Sequence, residues 1–210
     1  MKSFLACFLF FSLFGSPEPV KSVRPLQAWD LLGNKRTFCT TESINEKKGY
    51  FLTAAHCTQL VGMFGEPVVG YIDKKEISIL KLDANLDVAI LLGPKGVPAL
   101  HFAKHAPRAG DEIYLIGHPI GLEAPQFFYG HLASTKTIHL DGDVGMTFDI
   151  EACRGDSGSA VLNRDGEIVS VLQYTVTDYA SNCSHWTGGL EYKNLIKFVQ
   201  GYASDVPKVK

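Results

Sequence analysis

The sequence is short of several things, and each shortage removes a class of protein. Charge of one sign is not in excess: 20 Lys and Arg stand against 22 Asp and Glu, a formal net charge of −2. That excludes a nucleic-acid protein working through a global basic field. Past the first fifteen residues no apolar run is long enough to cross a bilayer. No CxxC pair and no close Cys/His spacing supports a zinc site. Internal repeats and low-complexity tracts are absent, and helical periodicity is confined to the tail. What remains is an ordinary globular composition, 46% hydrophobic and 20% charged over 210 residues, enough for one large domain or two small fused ones. The 20 glycines and 10 prolines are scattered, which favours a turn-rich, short-strand protein over a helical bundle.

Five cysteines are an odd count, and the N-terminus bears on it. After Met1-Lys2, residues 4–14 are apolar with one weak polar interruption, and Gly15-Ser16-Pro17 follows. One cation, a short apolar stretch and small residues after it describe a secretory signal peptide, assigned to residues 1–22, with cleavage after Gly15, Ser16 or Ser22 all open. Eleven helical residues at about 1.5 Å each fall short of a hydrocarbon core of about 30 Å. Too little signal sequence precedes Cys7 for a lipid anchor. With the signal removed, Cys39, Cys57, Cys153 and Cys183 remain. An exported chain meets an oxidising environment, so two disulfides are expected, and arithmetic alone allows three pairings.

From residue 49 the chain reads as short strands cut by turn residues. Residues 49–53 lead into Ala54-Ala55-His56-Cys57. Residues 77–79 alternate over a half-buried face, 86–92 are nearly continuously apolar, and 112–116 follow Gly110-Asp111. Residues 160–162 and 168–174 flank Asn163-Arg164-Asp165-Gly166, a hairpin turn by composition. Residues 190–199 have helical spacing, with Leu195, Phe198 and Val199 on one face. Strands followed by a lone terminal helix argue an all-β fold, sandwich or barrel. Residues 93–110, with Pro94, Pro98 and Pro107, are the best crossing segment between two halves.

Three stretches carry chemistry together. Thr53-Ala54-Ala55-His56-Cys57 places a histidine after an apolar strand, beside a cysteine that can staple the loop. Asp87 heads the buried run 86–92, and Gly155-Asp156-Ser157-Gly158 sets a serine in a tight turn. A nucleophilic serine needs a base, the base needs an acid to hold its tautomer, and the oxyanion needs preorganised donors. Each piece alone is weak, since a lone histidine or a strand-heading aspartate is more often structural. The order His, Asp, Ser, each with its flanking pattern, is specific.

On TAAHC around His56, DVAIL around Asp87 and CRGDSG around Ser157, the chain resembles the trypsin-like, chymotrypsin-fold serine proteases over residues 30 to 200. The resemblance implies two antiparallel β-barrels with a short C-terminal helix, here 23–103 and 104–210. It implies His56 as general base then acid, Asp87 as its orienting partner and Ser157 as nucleophile. Backbone N–H groups of Gly155 and Ser157 would form the oxyanion hole. It also reduces the three pairings to Cys39–Cys57 and Cys153–Cys183. A second resemblance, to the HtrA-type branch, rests on Gly110-Asp111, Ile116-Gly117-His118-Pro119-Ile120-Gly121-Leu122, Gly130-His131-Leu132-Ala133-Ser134 and Ser157-Gly158-Ser159-Ala160-Val161. HtrA-type proteins usually carry a following PDZ domain, and with about ten residues after the terminal helix none is expected here.

Two departures matter. No Ile-Val-Gly-Gly-like stretch supplies the freed amine that pairs with the aspartate before the serine, so Asp156 lacks a partner. Glu151 stands six residues before Ser157, where the family places the base of the primary pocket. It reads either as an acid attracting Arg or Lys or as a solvated loop residue. Gln173 and Thr175 fall on the expected pocket wall, with Thr175 where open pockets carry glycine. His118, His131 and His185 are a weaker alternative, a site for acidic residues. The Asn182-Cys183-Ser184 sequon is poor, its central residue being an expected disulfide cysteine, and the tail has too few cations for a basic arm.

The expectation is a secreted or periplasmic serine endopeptidase acting on protein or peptide, with no metal, no organic cofactor, no nucleic acid and no stable membrane insertion after signal removal. The rival is an inactive protease-like binding protein. The cysteine reading is checked by thiol titration of the denatured chain spanning 23–210: no free thiol is expected, and finding one undoes both bridges.

Overall fold

A computed structural model describes residues 18–29, 33–59, 69–138, 144–175, 182–203 and 205–207. Most of the expected signal segment lies outside the described residues. The first half forms seven strands: β1 (Val23–Trp29), β2 (Lys35–Asn45), β3 (Tyr50–Thr53), β4 (Gly70–Ile72), β5 (Lys75–Glu76), β6 (Ser78–Asp83) and β7 (Val88–Leu92). They make one antiparallel sheet in the order β5-β4-β1-β2-β3-β7-β6. The second half forms β8 (Glu112–Gly117), β9 (Gln126–Ile138), β10 (Val144–Cys153), β11 (Ala160–Asn163), β12 (Ile168–Thr175) and β13 (Cys183–Leu190). These close into a barrel, β10-β13-β12-β11-β8-β9, and α1 (Tyr192–Val199) follows. The fold is thus all-β and chymotrypsin-like, with one closed barrel and a half-barrel sheet among the described residues.

Local chemistry explains the strands that the sequence pattern marked. At the 163–166 turn the Asn163 side-chain oxygen accepts the N–H of Asp165 and of Glu167. Gly166 supplies the left-handed residue, φ 78°. Residues 77–79 lead into β6. Ile77, just before it, packs partly buried against the apolar cluster of the sheet. Within the strand the apolar side chains face solvent, Ile79 50% and Leu82 42% exposed. Alternation shows that two faces differ, not which one is covered. The terminal helix is shorter than its periodicity suggested, because Leu190 ends β13 instead. Its apolar face, with Ile196 added to Leu195, Phe198 and Val199, is buried. The long strands β9 and β10 were not marked at all. Gly130 interrupts the pattern, and it must, since a Cβ there would lie 2.0 Å from the Asp149 carbonyl oxygen.

One apolar cluster joins the halves, with Val23, Leu52 and Ile90 from the sheet meeting Ile116, Leu162 and Ile168 from the barrel. The expected crossing segment belongs to this seam. The Leu100 N–H donates to the Ser43 carbonyl, the Ala103 N–H to that of Ile168, and the Ile168 N–H to that of His101. Inside the barrel Leu115, Leu132, Phe148 and Leu172 are almost fully enclosed. Burying side chains of this size contributes about 1.5–3 kcal/mol each.

Glu42 breaks the apolar pattern of the seam. It is fully buried on β2 with neither carboxylate oxygen hydrogen bonded. Burial pushes its carboxyl well above the ordinary range, offset only in part by the nearby Ala160 backbone N–H. A carboxyl with a raised folded-state pKa adds stability at low pH and loses it as pH rises through that pKa. The Glu42→Gln variant should therefore match wild type in acid and become the more stable protein as pH rises to 8, read by thermal unfolding across pH.

Candidate active site

His56 and Asp87 meet because two neighbouring strands end side by side. Buried β3 runs into a 3-10 turn, Ala55–Thr58, that leaves His56 at the surface and Cys57 inside. Cys57 is bridged to Cys39 on β2. Asp87 ends the 84–87 turn between the paired strands β6 and β7. That turn is nucleated by Asp83, whose Oδ1 accepts the N–H of Asn85 and of Leu86, both at 3.0 Å. Asp87 itself has φ 45°, a left-handed conformation that aspartate tolerates better than most residues. Both its oxygens are committed to His56: Oδ1 accepts the backbone N–H and Oδ2 faces Nδ1, each at 2.8 Å. A ring nitrogen facing a carboxylate carries the proton, which leaves Nε2 as the basic nitrogen.

Ser157 lies in the loop from Cys153 to Gly158, and the loop is seated on the other half of the molecule. The Thr40 N–H donates to the Ser157 carbonyl at 2.9 Å, and the Thr40 hydroxyl to the Gly155 carbonyl at 2.9 Å. Cys57 Sγ approaches that same Ser157 carbonyl to 3.5 Å, which sets the serine beside the His56 turn. The Gly158 N–H reaches the Leu172 carbonyl at 2.8 Å. Gly155 has φ 102°, and a Cβ on it would sit 2.4 Å from the His118 carbonyl. Among the described residues neither the Gly155 nor the Ser157 N–H has an acceptor. Nor does Ser157 Oγ hydrogen-bond the His56 ring, a contact that commonly tightens only around substrate.

Asp156 points inward and is fully buried. Its Oδ2 accepts the Cys153 N–H at 2.8 Å, while Oδ1 has no partner. No cation pairs with it among the described residues. Burial pushes its carboxyl up to about 7, the Cys153 N–H opposes this, and nearby Glu151 adds to it. Oδ1 faces Gly117 together with the unpartnered Ser159 hydroxyl.

The three residues read as a pocket are not gathered in one place. Glu151 is exposed on β10, where that strand bulges opposite β13. Its carboxylate lies within 4.8 Å of both sulfurs of the Cys153–Cys183 disulfide. It lines an open cavity of about 790 Å³ with Asp149, Glu112, Tyr129, His131 and His185. Thr175 pairs with Thr187 on β13, and the Tyr174 ring lies over Gly188, whose Cβ would fall 1.9 Å from Tyr174 Cζ. Gln173 turns the other way, toward the Asp87 turn. His118 is buried, its Nδ1 bonded to the Leu122 carbonyl and its pKa lowered chiefly by burial, so it does not share the cavity of His131 and His185. The two clusters with metal-ligand spacing, Cys39-His56-Cys57 and Glu151-Cys153-Cys183, each contain a disulfide and offer no thiolate.

Sequence reasoning missed Thr40 and Asp83. Both are small polar residues whose importance lies in which backbone groups they face, and no motif marks that.

A closed β-barrel and a half-barrel sheet, with a Gly-rich serine loop seated between them, define the chymotrypsin-like class. The trypsin-like peptidase domain family matches residues 39–171, and the chain belongs to that family. Among solved structures it is similar to the HtrA-type protease AlgW with a tripeptide: TM-score 0.68, 18% identity, 86% of this chain and 60% of that one. AlgW with a decapeptide gives TM-score 0.69 at 16% identity, 85% of this chain and 63% of that one. The active form of the Rv3671c protease from M. tuberculosis gives TM-score 0.66 at 18% identity, over 91% of this chain and 85% of that one. The chain therefore spans about 60% of the length of the AlgW chains it matches.

Asp156 yields a signed pH dependence. Its carboxyl rises from 3.8 to about 7 on folding, so its contribution to stability is full in acid and is lost as pH climbs through about 7. Asp156→Asn keeps an acceptor for the Cys153 N–H and places a donor toward Ser159. It should equal wild type below pH 4 and exceed it by up to about 4 kcal/mol at pH 8. Denaturant unfolding across pH checks this.

Proposed function

We propose that this protein is a secreted serine endopeptidase that hydrolyses peptide bonds through His56, Asp87 and Ser157. The two-oxygen grip of Asp87 on His56 carries the reading. A carboxylate that commits both oxygens to one histidine, next to a serine loop with two unpaired N–H groups, is the arrangement acyl transfer requires. Ser157 Oγ attacks the scissile carbonyl carbon while His56 Nε2 takes the hydroxyl proton. The oxyanion is held by the Gly155 and Ser157 N–H groups. His56 returns the proton to the departing amine, which leaves an ester on Ser157. Water then repeats the sequence and releases the acid. Asp87 stays ionised and stabilises the imidazolium.

The two disulfides agree with an oxidising, extracytoplasmic compartment. Division into an N-terminal unit, 23–103, and a C-terminal unit, 104–210, agrees with the strand order. Arg or Lys before the scissile bond is the preferred residue, through the exposed carboxylate of Glu151, which shares an open cavity with Asp149 and the Glu112–Arg164 ion pair.

A fluorophosphonate probe tests the chemistry. Wild type should label at Ser157 and Ser157→Ala not at all, with kcat for the alanine variant down about 10⁴-fold or more. Wild type that fails to label leaves the inactive binding protein as the answer. Cleavage of a peptide library tests the pocket: an Arg or Lys preference should fall about tenfold in Glu151→Gln, and an unchanged profile would remove Glu151 from specificity.

A further inference from the structure

Gln173 belongs to the closed barrel by chain position but spends its side chain on the other half. Its Nε2 donates to the Leu86 carbonyl at 2.5 Å and to the Asp87 carbonyl at 3.0 Å. A primary amide has two N–H bonds, so one group serves both acceptors. The carbonyls belong to the last two residues of the turn in which Asp87 adopts φ 45°. Left-handed backbone in a residue with a side chain costs about 1–2 kcal/mol and persists where the surroundings hold it. This turn is held on both sides, its N–H groups by Asp83 Oδ1 and its carbonyls by Gln173. The adjacent residue is tied as firmly to the nucleophile loop. The Leu172 carbonyl accepts the Gly158 N–H, and the Leu172 N–H donates to the Ser159 carbonyl. Residues 172–173 thus grip the Ser157 loop through backbone and the Asp87 turn through a side chain.

We propose that Gln173 is a positioning residue: it holds the Leu86–Asp87 backbone so that the Asp87 carboxylate stays square on His56, at a set distance from the Ser157 loop. The inference rests on the triad reading and deepens it. It reassigns Gln173 from the substrate pocket to the machinery behind the base. Side-chain length matters, since asparagine is shorter by one methylene, roughly 1.5 Å. Charge matters too, because an ionised glutamate would set acceptor against acceptor, while its protonated form has one donor.

The test combines kinetics with an observable that needs no turnover. In Gln173→Met, kcat on a short peptide should fall about 10–100-fold with KM within about twofold, as expected for loss of a transition-state contribution. By NMR the His56 ring should titrate at lower pH than in wild type, because the imidazolium loses part of its carboxylate partner. Gln173→Glu should be worse at neutral pH and recover in part as pH falls and the carboxyl gains its proton. If Gln173→Met does not fold, the same His56 titration is read in Gln173→Asn. An unmoved His56 midpoint, with kcat within about twofold of wild type, overturns the proposal. Absent fluorophosphonate labelling of wild type would instead sink the protease reading, and the His56 titration would still decide the role of Gln173.

Discussion

Everything at the candidate site depends on how closely the Ser157 loop is pressed onto strand β2. At Gly158 the approach leaves no room for a side chain: a Cβ would lie 2.1 Å from the Thr53 hydroxyl and 2.4 Å from the Thr40 carbonyl. Thr53 donates to that same carbonyl, so the surface beneath the loop is itself pinned. Thr40 also serves three further partners, the Ser157 carbonyl, the Gly155 carbonyl and the His118 N–H. At Gly155 and Ser157 the carbonyls are taken by Thr40 while the N–H groups are left over. Groups left unbonded and preorganised are what an oxyanion can use.

The disulfides reinforce this seat from opposite sides. Cys39–Cys57 ties the strand carrying Thr40 to the turn carrying His56, across a separation of 18 residues. Cys153–Cys183 anchors the start of the serine loop to β13, across 30 residues. Loops of this length restrict the unfolded chain by about 3 kcal/mol each in the chain-entropy account. Buried Asp156 works against that gain, since its carboxyl is enclosed without a cation and one oxygen has no partner.

Much of this was legible along the chain, and the boundary is physical. Residues 86–92 and 168–174 read as strands because continuous or alternating apolar character reports burial directly. The 163–166 turn read correctly because its residue types carry their own hydrogen-bond partners. Strand β9 did not read, because Phe127, Phe128 and Tyr129 run together and Gly130 follows them. Strand β10 does alternate, with Met146, Phe148, Ile150 and Ala152 buried and Asp149 and Glu151 exposed, and its pattern was there to be read. The exposure of Ile79 and Leu82 did not read either, since it depends on what lies across from that face.

The sequence by itself determined the chemistry available: which residue types stand in the order His, Asp, Ser, which turns their neighbours can form, and how many cysteines there are to pair. Those are properties of residue identity and local spacing, and they survive without knowledge of the fold. Only the tertiary structure decided what each group faces. It turned Gln173 toward the Leu86 and Asp87 carbonyls, placed Glu151 on an open cavity, and set Thr40 under the serine loop. Hydrogen bonds lose strength within tenths of an ångström and tens of degrees. Contacts between residues about 90 or 115 positions apart are therefore fixed by the packing of the two halves, which no local pattern encodes.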